Sequence, residues 1–581
     1  MTRCAFFFLT NFINLVYYHF KIKAVGGKMA LTNQQKYENW LKKAKDKPTL
    51  ELLQLMKGDS KAIDNAFYKE LEFGTGGLRG ELGAGTNCLN VYTIAKVTQG
   101  IADNMKANGF STVAISMDSR INSDIFCVKA AEVFAANDIK AFVTKECMPT
   151  PFLSFMVREL KTDIGVMITA SHNPSQYNGY KVYGSDGCQL TDKRANDMIA
   201  CIDRVDPFEV VTKSIDFYQN KGLIEVVSNE LEVQYLSAVK AQSVGNAKGI
   251  KVVYTPLNGA GYRVVPEILR EVGVEDLYIV TEQSKPDGRF LTCSYPNPEK
   301  TEALKLGLEL LQKSNADLLI ATDPDADRMG LAVKARKGYR LLSGNETGVL
   351  LTDYLFYRRK ALGTLPKKPI LCKTIVSSEL AIKVADEYGA ESFDVLTGFK
   401  YIGEVILGLE NRGEEDRFVF GFEESYGCLA GTYVRDKDAV VASMLVAEMA
   451  AYYKKLGKSL ADRIEEIYAK FGTYQHKLLS KEFPGATGDA KMKQLLKDLR
   501  EKNPTEMGGI KIIKSIDYLI QSEVDLPPSN VLSYNLEGGA QLIVRPSGTE
   551  PLIKFYLTAA KTPNENMVIF EKLEKFIKKH F

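Results

Sequence analysis

The sequence predicts an α/β architecture of about four domains, three of them α/β units with parallel or mixed sheets and the last a smaller α+β unit. Three observations carry that expectation. Apolar, β-branched runs recur along the chain, each followed by a glycine-rich or polar loop and then an amphipathic segment. Strands alternating with helices imply sheets joined by crossover helices. The length, 581 residues, corresponds to about four domains at roughly 150 residues each. The final block changes texture, with a breaker at Pro527-Pro528, paired strands around Gly538-Gly539 and a lysine-rich helix over Glu565–Lys579.

Taken in order, the chain opens with an apolar stretch, Cys4 to Phe20, interrupted by Asn11, Asn14 and His19. It is a poor membrane span, which needs about 20 predominantly apolar residues. Gly26-Gly27-Lys28-Met29 is what a purine-rich ribosome-binding site would encode, so residues 1–28 are expected to be a start-site artefact or a disordered leader. Asn33 to Met56, with the lone Trp40, is expected to be a surface helical lead-in. Strands are then expected at Val113–Met117, Ile164–Ile168, Lys251–Tyr254, Asp317–Ala321 and Phe418–Phe422, and helices at Phe126–Asn137 and Val264–Val272. Polar stretches at Asp203–Asn229, Lys334–Arg340 and Lys454–Ser459 are read as seams. The expected domains are 29–225, 226–340, 341–465 and 466–581.

Composition excludes several classes. Hydrophobic residues are 45% and charged residues 25% of the chain, the balance of a folded soluble protein rather than a disordered one. A net charge of +3 does not fit a strongly basic nucleic-acid binder. Four histidines leave little for a histidine-rich metal site. The nine cysteines contain no Cys-x-x-Cys pair and are read as reduced thiols, pointing to a cytoplasmic protein with neither nucleic-acid nor membrane partners.

The loops after the strands carry the chemistry, since ligands in α/β sheets sit beyond the carboxyl ends of strands. Asp323-Pro324-Asp325-Ala326-Asp327-Arg328 sets three carboxylates at alternate positions. Oxygen-only ligation suits Mg²⁺ better than zinc. An EF-hand needs Gly at its sixth position and Glu at its twelfth, where Arg328 and Lys334 stand. Thr169-Ala170-Ser171-His172-Asn173-Pro174 places a hydroxyl on a tight loop, with Lys181 near in sequence. Were Ser171 phosphorylated, a cation held by the aspartates would bind one of its phosphate oxygens and polarise the phosphorus. His172 would then position a neighbour, assist proton transfer or simply be structural. Arg545-Pro546-Ser547-Gly548-Thr549 offers a guanidinium, two hydroxyls and exposed amides as a phosphate cradle. Gly421-Phe422-Glu423-Glu424-Ser425 offers carboxylates and a hydroxyl to sugar hydroxyls. Gly457-Lys458-Ser459 mimics the end of a P-loop, but Tyr452 occupies the first glycine position and no Gly-x-Gly-x-x-Gly occurs.

In that order, Thr169–Pro174, Asp323–Arg328, Gly421–Ser425 and Arg545–Pro551 resemble the loops of the α-D-phosphohexomutase family, the phosphoglucomutases and phosphomannomutases. The resemblance spans Met29 to the C-terminus and implies four domains around a central cleft. It implies that Ser171 is the phosphoserine, that Asp323, Asp325 and Asp327 with the seryl phosphate bind Mg²⁺, and that Arg328 lies beside the transferring phosphoryl. Thr75–Gly80 resembles an early arginine loop that brings Arg79 into the cleft, and Lys181 matches a lysine serving as general acid/base. Identity of the general base stays open among Lys181, His172 and Arg79. Gly398-Phe399-Lys400 resembles a loop whose lysine meets the substrate phosphate. Glu423 and Ser425 would grip sugar hydroxyls, while Arg545, Ser547, Gly548 and Thr549 would hold the non-reacting phosphate. The implied activity interconverts glucose 1-phosphate and glucose 6-phosphate through glucose 1,6-bisphosphate, which is both intermediate and activator, in an enzyme favoured as a monomer. Mannose and pentose phosphates are the alternative substrates. A metal-dependent phosphatase and a non-catalytic phosphosugar-binding protein are the rival classes.

Overall fold

The computed structural model describes residues 31–74, 77–483, 485–520, 526–547 and 552–581. The expected leader at 1–28 and the cradle residues Gly548 and Thr549 lie outside the described residues. Two compact units are distinguished among the described residues, the first formed by those through Glu70 with Gly83–Cys88, the second by the rest.

In the first unit the expected lead-in is three short helices, Asn33–Lys43, Lys47–Leu55 and Ser60–Phe67. Each starts on a side-chain cap, from Thr32, Asp46 and Asp59. Such caps satisfy backbone N–H groups that a first helical turn leaves unpaired. Trp40 is buried rather than on the surface, meeting the Phe67 ring edge-on at 5.8 Å.

The second unit holds four sheets. The first contains β1 (Leu78–Glu81), β2 (Thr112–Met117), β3 (Lys140–Val143), β4 (Ile164–Ile168), β5 (Tyr177–Gly184) and β6 (Ile224–Val226), in spatial order β1-β5-β4-β2-β3-β6. Strands β4, β2, β3 and β6 run parallel, while β5 returns antiparallel beside β4. The second has β7 (Lys251–Thr255), β8 (Asp276–Ile279), β9 (Leu318–Thr322), β10 (Met329–Lys334) and β11 (Tyr339–Leu342), in order β11-β10-β9-β7-β8. The third has β12 (Ile370–Thr374), β13 (Glu391–Val395), β14 (Phe418–Phe422) and β15 (Cys428–Ala430), in order β13-β12-β14-β15. All three are mixed sheets with a parallel centre, and central strands such as β4, β9 and β14 are buried along their whole length. That is why they read as continuous apolar runs. The fourth sheet is antiparallel: β16 (Gln475–Glu482), β17 (Glu506–Met507), β18 (Ile510–Asp517), β19 (Leu532–Leu536), β20 (Ala540–Pro546) and β21 (Leu552–Ala559), in order β16-β21-β20-β19-β18-β17.

The expected seams hold regular elements. Asp203–Asn229 contains the helix Ile215–Asn220 and the edge strand β6, so its polarity marks an exposed sheet edge. Lys334–Arg340 holds the β10–β11 turn, basic because a hairpin tip faces solvent. Residue 465 falls inside the helix Leu460–Phe471, whose Leu460, Ile464 and Ile467 are buried. The sheets themselves change over after Val226, Leu342 and Phe471.

One apolar core links the first three sheets, threading Phe152 and Met156, Tyr235 and Val239, Val265 and Leu269, and Val446 and Met449. Each such side chain fully buried contributes about 1.5–3 kcal/mol relative to exposure. The fourth sheet keeps its own core, including Leu542, Val544, Phe555, Leu573 and Ile577. A smaller cluster joins it to the third, with Ile375, Val376 and Leu396 against Tyr518, Val531, Ile543 and Tyr556.

Candidate active site

Two strand-end loops meet at the centre of the site. Ser171 follows β4 with φ 51°, a left-handed conformation for a non-glycine residue. The aspartate loop joins β9 to β10 and is closed by its own first carboxylate, because Asp323 Oδ1 accepts from the N–H groups of Asp327 (3.1 Å) and Arg328 (3.0 Å). The neighbouring loop after β7 supports it from behind. Ala260 N–H donates to the Pro324 carbonyl at 2.7 Å, and a Cβ on Gly259 would stand 2.5 Å from Pro324 Cα.

The geometry brings the expected nucleophile and metal ligands together. Ser171 Oγ donates to Asp323 Oδ2 at 2.9 Å. Ligand oxygens of Asp323, Asp325 and Asp327 lie within 4.8 Å of one another, and all three side chains are buried. Asp325 Oδ1 and Asp327 Oδ1 are buried and, among the described residues, accept no hydrogen bond. Carboxylate oxygens buried together without donors are the donor set a hard cation takes, so the residues fit Mg²⁺.

Cationic side chains surround this cluster. Lys181 Nζ, on β5, lies 2.9 Å from Asp325 Oδ2 and 3.5 Å from Asp327 Oδ2. Lys437, from the loop between β15 and the helix Ala439–Lys455, reaches Asp327 Oδ2 at 3.0 Å. Thr150 Oγ1, opening the helix Thr150–Glu159, donates to Asp325 Oδ2 at 2.8 Å. Burial drives the Asp323 carboxyl well above the usual range, reinforced by Asp325 and Asp327. Burial pushes Asp325 the same way, but Lys181, Lys437 and Thr150 outweigh it and hold that carboxyl low. For Lys181, the two aspartates outweigh burial and hold the ammonium above its ordinary value.

The remaining expected residues lie as follows. His172 Nδ1 is 3.2 Å from Ser171 Oγ, and burial, with Arg328 and Arg79, holds the ring well below its ordinary pKa. Arg79 Nη1 donates to Asn173 Oδ1 at 3.1 Å, on the serine loop. Arg328 pairs with Glu299 at 3.2 Å. Glu423, 5% exposed, accepts from Gly398 N–H at 3.0 Å, tying the Glu423–Ser425 loop to the Gly398–Lys400 turn. Ser425 is half-buried on the same loop. Lys400 opens the helix Phe399–Glu410 and lays its ammonium 5.0 Å from the Tyr401 ring centroid. Arg545 is the penultimate residue of β20, and Ser547 N–H donates to the Leu552 carbonyl at 2.8 Å across the hairpin base. That hairpin's β21 side chains Lys554 and Tyr556 lie near Glu423 and Glu424. Burial lifts Glu424 to about 7, Glu423 adds to the push, and Lys554 on β21 counters it.

Sequence reasoning missed Thr150, Lys437 and Glu299. Arg435-Asp436-Lys437-Asp438 ahead of a buried helix was a visible signal, because four charges beside an apolar run need partners. Thr150, within Met148-Pro149-Thr150-Pro151, gave none.

Family models for phosphoglucomutase/phosphomannomutase α/β/α domains I, II and III match residues 70–208, 233–338 and 343–471. The chain belongs to the phosphoglucomutase/phosphomannomutase family. It is 38% identical over 503 residues to a phosphoglucomutase of Staphylococcus epidermidis, covering 84% of this chain and 90% of that one. A Staphylococcus aureus phosphoglucomutase is 37% identical over 515 residues, covering 86% and 91%. Parafusin (phosphoglucomutase) from Paramecium superposes with TM-score 0.66 at 18% identity, over 88% of this chain and 94% of that one. A phosphoglucomutase/phosphomannomutase family protein from Burkholderia thailandensis gives 0.65 at 16% identity, over 87% and 96%. These two likenesses are of fold. As in that family, four α/β domains are arranged around a cleft, the last built on an antiparallel sheet.

Proposed function

We propose that this family member is a phosphoglucomutase interconverting glucose 1-phosphate and glucose 6-phosphate through a phosphoserine at Ser171 and a glucose 1,6-bisphosphate intermediate. The observation that carries the reading is Ser171 Oγ, 2.9 Å from Asp323 within a buried aspartate cluster flanked by two lysines. The identity to staphylococcal phosphoglucomutases along most of both chains supports it.

In the first half-reaction the bond from phosphorus to Ser171 Oγ breaks as one forms to the free hydroxyl oxygen of the sugar phosphate. Ser171 Oγ gains a proton as it leaves and the sugar hydroxyl gives one up, relayed by a group lining the pocket among Lys181 Nζ, His172 Nδ1 and Arg79; an already protonated Lys181 or Arg79 gives its proton to Oγ before taking the hydroxyl's. The bisphosphate then turns, and its other phosphoryl returns to Ser171 Oγ. Asp323, Asp325, Asp327 and the seryl phosphate would hold Mg²⁺, which when bound supplies charge neutralisation and polarisation of the phosphoryl oxygens. Such transfer is mainly positioning and electrostatic stabilisation. In this reading Arg328 and Arg79 face the phosphoryl, and Glu423 and Ser425 the sugar hydroxyls. Lys400, Arg545, Ser547, Gly548 and Thr549 take the non-reacting phosphate. The fourth domain closes over the substrate to exclude water, which would otherwise hydrolyse the phosphoserine. No helix among the described residues is long and apolar enough to cross a membrane; a cytoplasmic monomer acting on small sugar phosphates completes the reading.

The test assays glucose 1-phosphate, mannose 1-phosphate and ribose 1-phosphate in parallel, with Mg²⁺ and catalytic glucose 1,6-bisphosphate, alongside Ser171→Ala. Glucose 1-phosphate is expected to give the highest kcat/KM and the alanine variant no isomerisation. Preference for ribose or mannose would reassign the substrate, and full activity in the variant would remove Ser171 from the mechanism.

A further inference from the structure

Behind the serine loop, the Asp118-Ser119-Arg120 turn after β2 has no part in the chemistry above. Its arginine is 3% exposed. Arg120 Nη1 donates to the carbonyls of Pro174 and Tyr177, each at 3.0 Å. Nη2 donates to the carbonyls of Ser171 and, at 2.5 Å, Asn173. One guanidinium thus gathers four backbone oxygens of the loop that starts at the nucleophile. Asp118 completes the frame. Its Oδ2 lies 3.3 Å from Arg120 Nε and accepts from Thr169 Oγ1 at 2.6 Å, and Thr169 Oγ1 in turn accepts from Ser171 N–H at 2.7 Å.

The guanidinium is held from the opposite side by the second domain. Phe290, 1% exposed, sets its ring 5.2 Å from the Arg120 guanidinium carbon. The strap carrying it is fastened to the loop after β7, since Asn258 Nδ2 donates to the Lys285 carbonyl (2.8 Å) and Asp287 N–H to the Asn258 carbonyl (3.0 Å). Gly288 bridges to Arg120 along the backbone, and a Cβ there would stand 2.3 Å from Ile121 N. The approach requires glycine.

We infer that Arg120, clamped by Phe290 of the second domain, is the positioning residue that sets the Ser171 loop against the aspartate loop. The inference rests on the reading of Ser171 as nucleophile. A left-handed serine holds its conformation only where the surroundings over-determine it, and a planar fork of donors meeting four carbonyls does so. Lysine brings three donors on a point charge and cannot reproduce the fork. Because Phe290 and the aspartate loop belong to one domain, the clamp also couples the nucleophile's placement to the metal ligands.

The test mixes the dephosphorylated full-length chain with ³²P-labelled glucose 1,6-bisphosphate and Mg²⁺, following the rate and final stoichiometry of label on Ser171. Wild type, Arg120→Lys and Phe290→Leu are compared. Arg120→Lys should reach full stoichiometry with a rate constant about 100-fold lower, the cost of a roughly 1 Å misplacement. In steady state its loss should fall on kcat, with KM moving less than about threefold. Phe290→Leu, which keeps an apolar filler but loses the aromatic face, should slow labelling about tenfold. A merely structural role would lower the labelled fraction and leave the rate per labelled chain unchanged, and that result overturns the inference. If Arg120→Lys does not fold, Phe290→Leu decides: slowed labelling supports the clamp and wild-type labelling overturns it. A wild-type chain that never labels at Ser171 would instead refute the mutase reading itself.

Discussion

Thr150 is the most exacting place to test the aspartate site, because it touches Asp325 without belonging to the serine loop. Its hydroxyl donates to Asp325 Oδ2 at 2.8 Å, its own N–H donates to the Asp325 carbonyl at 2.8 Å, and both residues are wholly buried. Thr150→Val keeps the volume and the backbone bond and removes only the hydroxyl. A hydrogen bond to a charged partner contributes about 1.5–3 kcal/mol. Loss of a partner that orients a ligating carboxylate typically costs about 10–100-fold in metal affinity; the two ranges agree, since 1.4 kcal/mol is about tenfold. The expected outcome is a 10–100-fold rise in the Mg²⁺ concentration giving half-maximal glucose 6-phosphate formation. Most of the maximal rate should return at saturating metal. Titration with Mn²⁺ followed by electron paramagnetic resonance should show the same loss directly. Unchanged metal affinity, or a rate that metal cannot restore, would refute the assignment of Asp325 as a ligand oriented by Thr150.

Lys437→Met leaves Asp327 with Lys181 at 3.5 Å as a lysine partner; turnover should fall about 100-fold, the size of losing one charge-stabilising group, and an unchanged kcat would contradict the site's electrostatics. Gly259→Ala forces a Cβ to within 2.5 Å of Pro324, so a folded chain with raised half-saturation for Mg²⁺ is expected, at about 1–3 kcal/mol of strain; wild-type metal affinity would show that the loop is not held there. Asp438 caps the helix Ala439–Lys455 and faces the Tyr235 and Tyr433 hydroxyls and the Val440 and Val441 amides. Burial raises it from 3.8 to about 6, against those hydrogen bonds. A raised folded pKa means its stabilisation is complete below 3.8 and lost as pH rises through about 6, roughly 3 kcal/mol in all. Relative to Asp438→Asn, wild type should therefore lose thermal stability between pH 4 and 7; a difference constant with pH would exclude the shift.

Much of the architecture was legible because buried parallel strands leave unbroken apolar runs, as at Ile164–Ile168 and Leu318–Thr322, and the loops after them carry unusual residues. Asp323, Asp325 and Asp327 could be read from spacing alone, since alternate carboxylates on a strand-end loop converge. Thr150, 175 positions from Asp325, could not, and Lys437, 110 positions from Asp327, showed only as part of a run of charges ahead of a buried helix. Arg120 gave no signal, because its partners are carbonyl oxygens, which carry no signature in side-chain identity. Asp203–Asn229 and Lys334–Arg340 hold an edge strand and a hairpin tip, whose composition is that of a linker, and only strand pairing separates the two.

In the proposed reaction the phosphate on the product comes from the enzyme and not from the substrate molecule being converted. Glucose 1-phosphate carrying ¹⁸O in its phosphate, mixed with ¹³C-labelled glucose 1-phosphate carrying ordinary phosphate, measures this by mass spectrometry of the glucose 6-phosphate formed. Transfer through phosphorylated Ser171 predicts product bearing both labels, at the frequency of random pairing from the earliest turnovers. Phosphate that stays with its own sugar would contradict it.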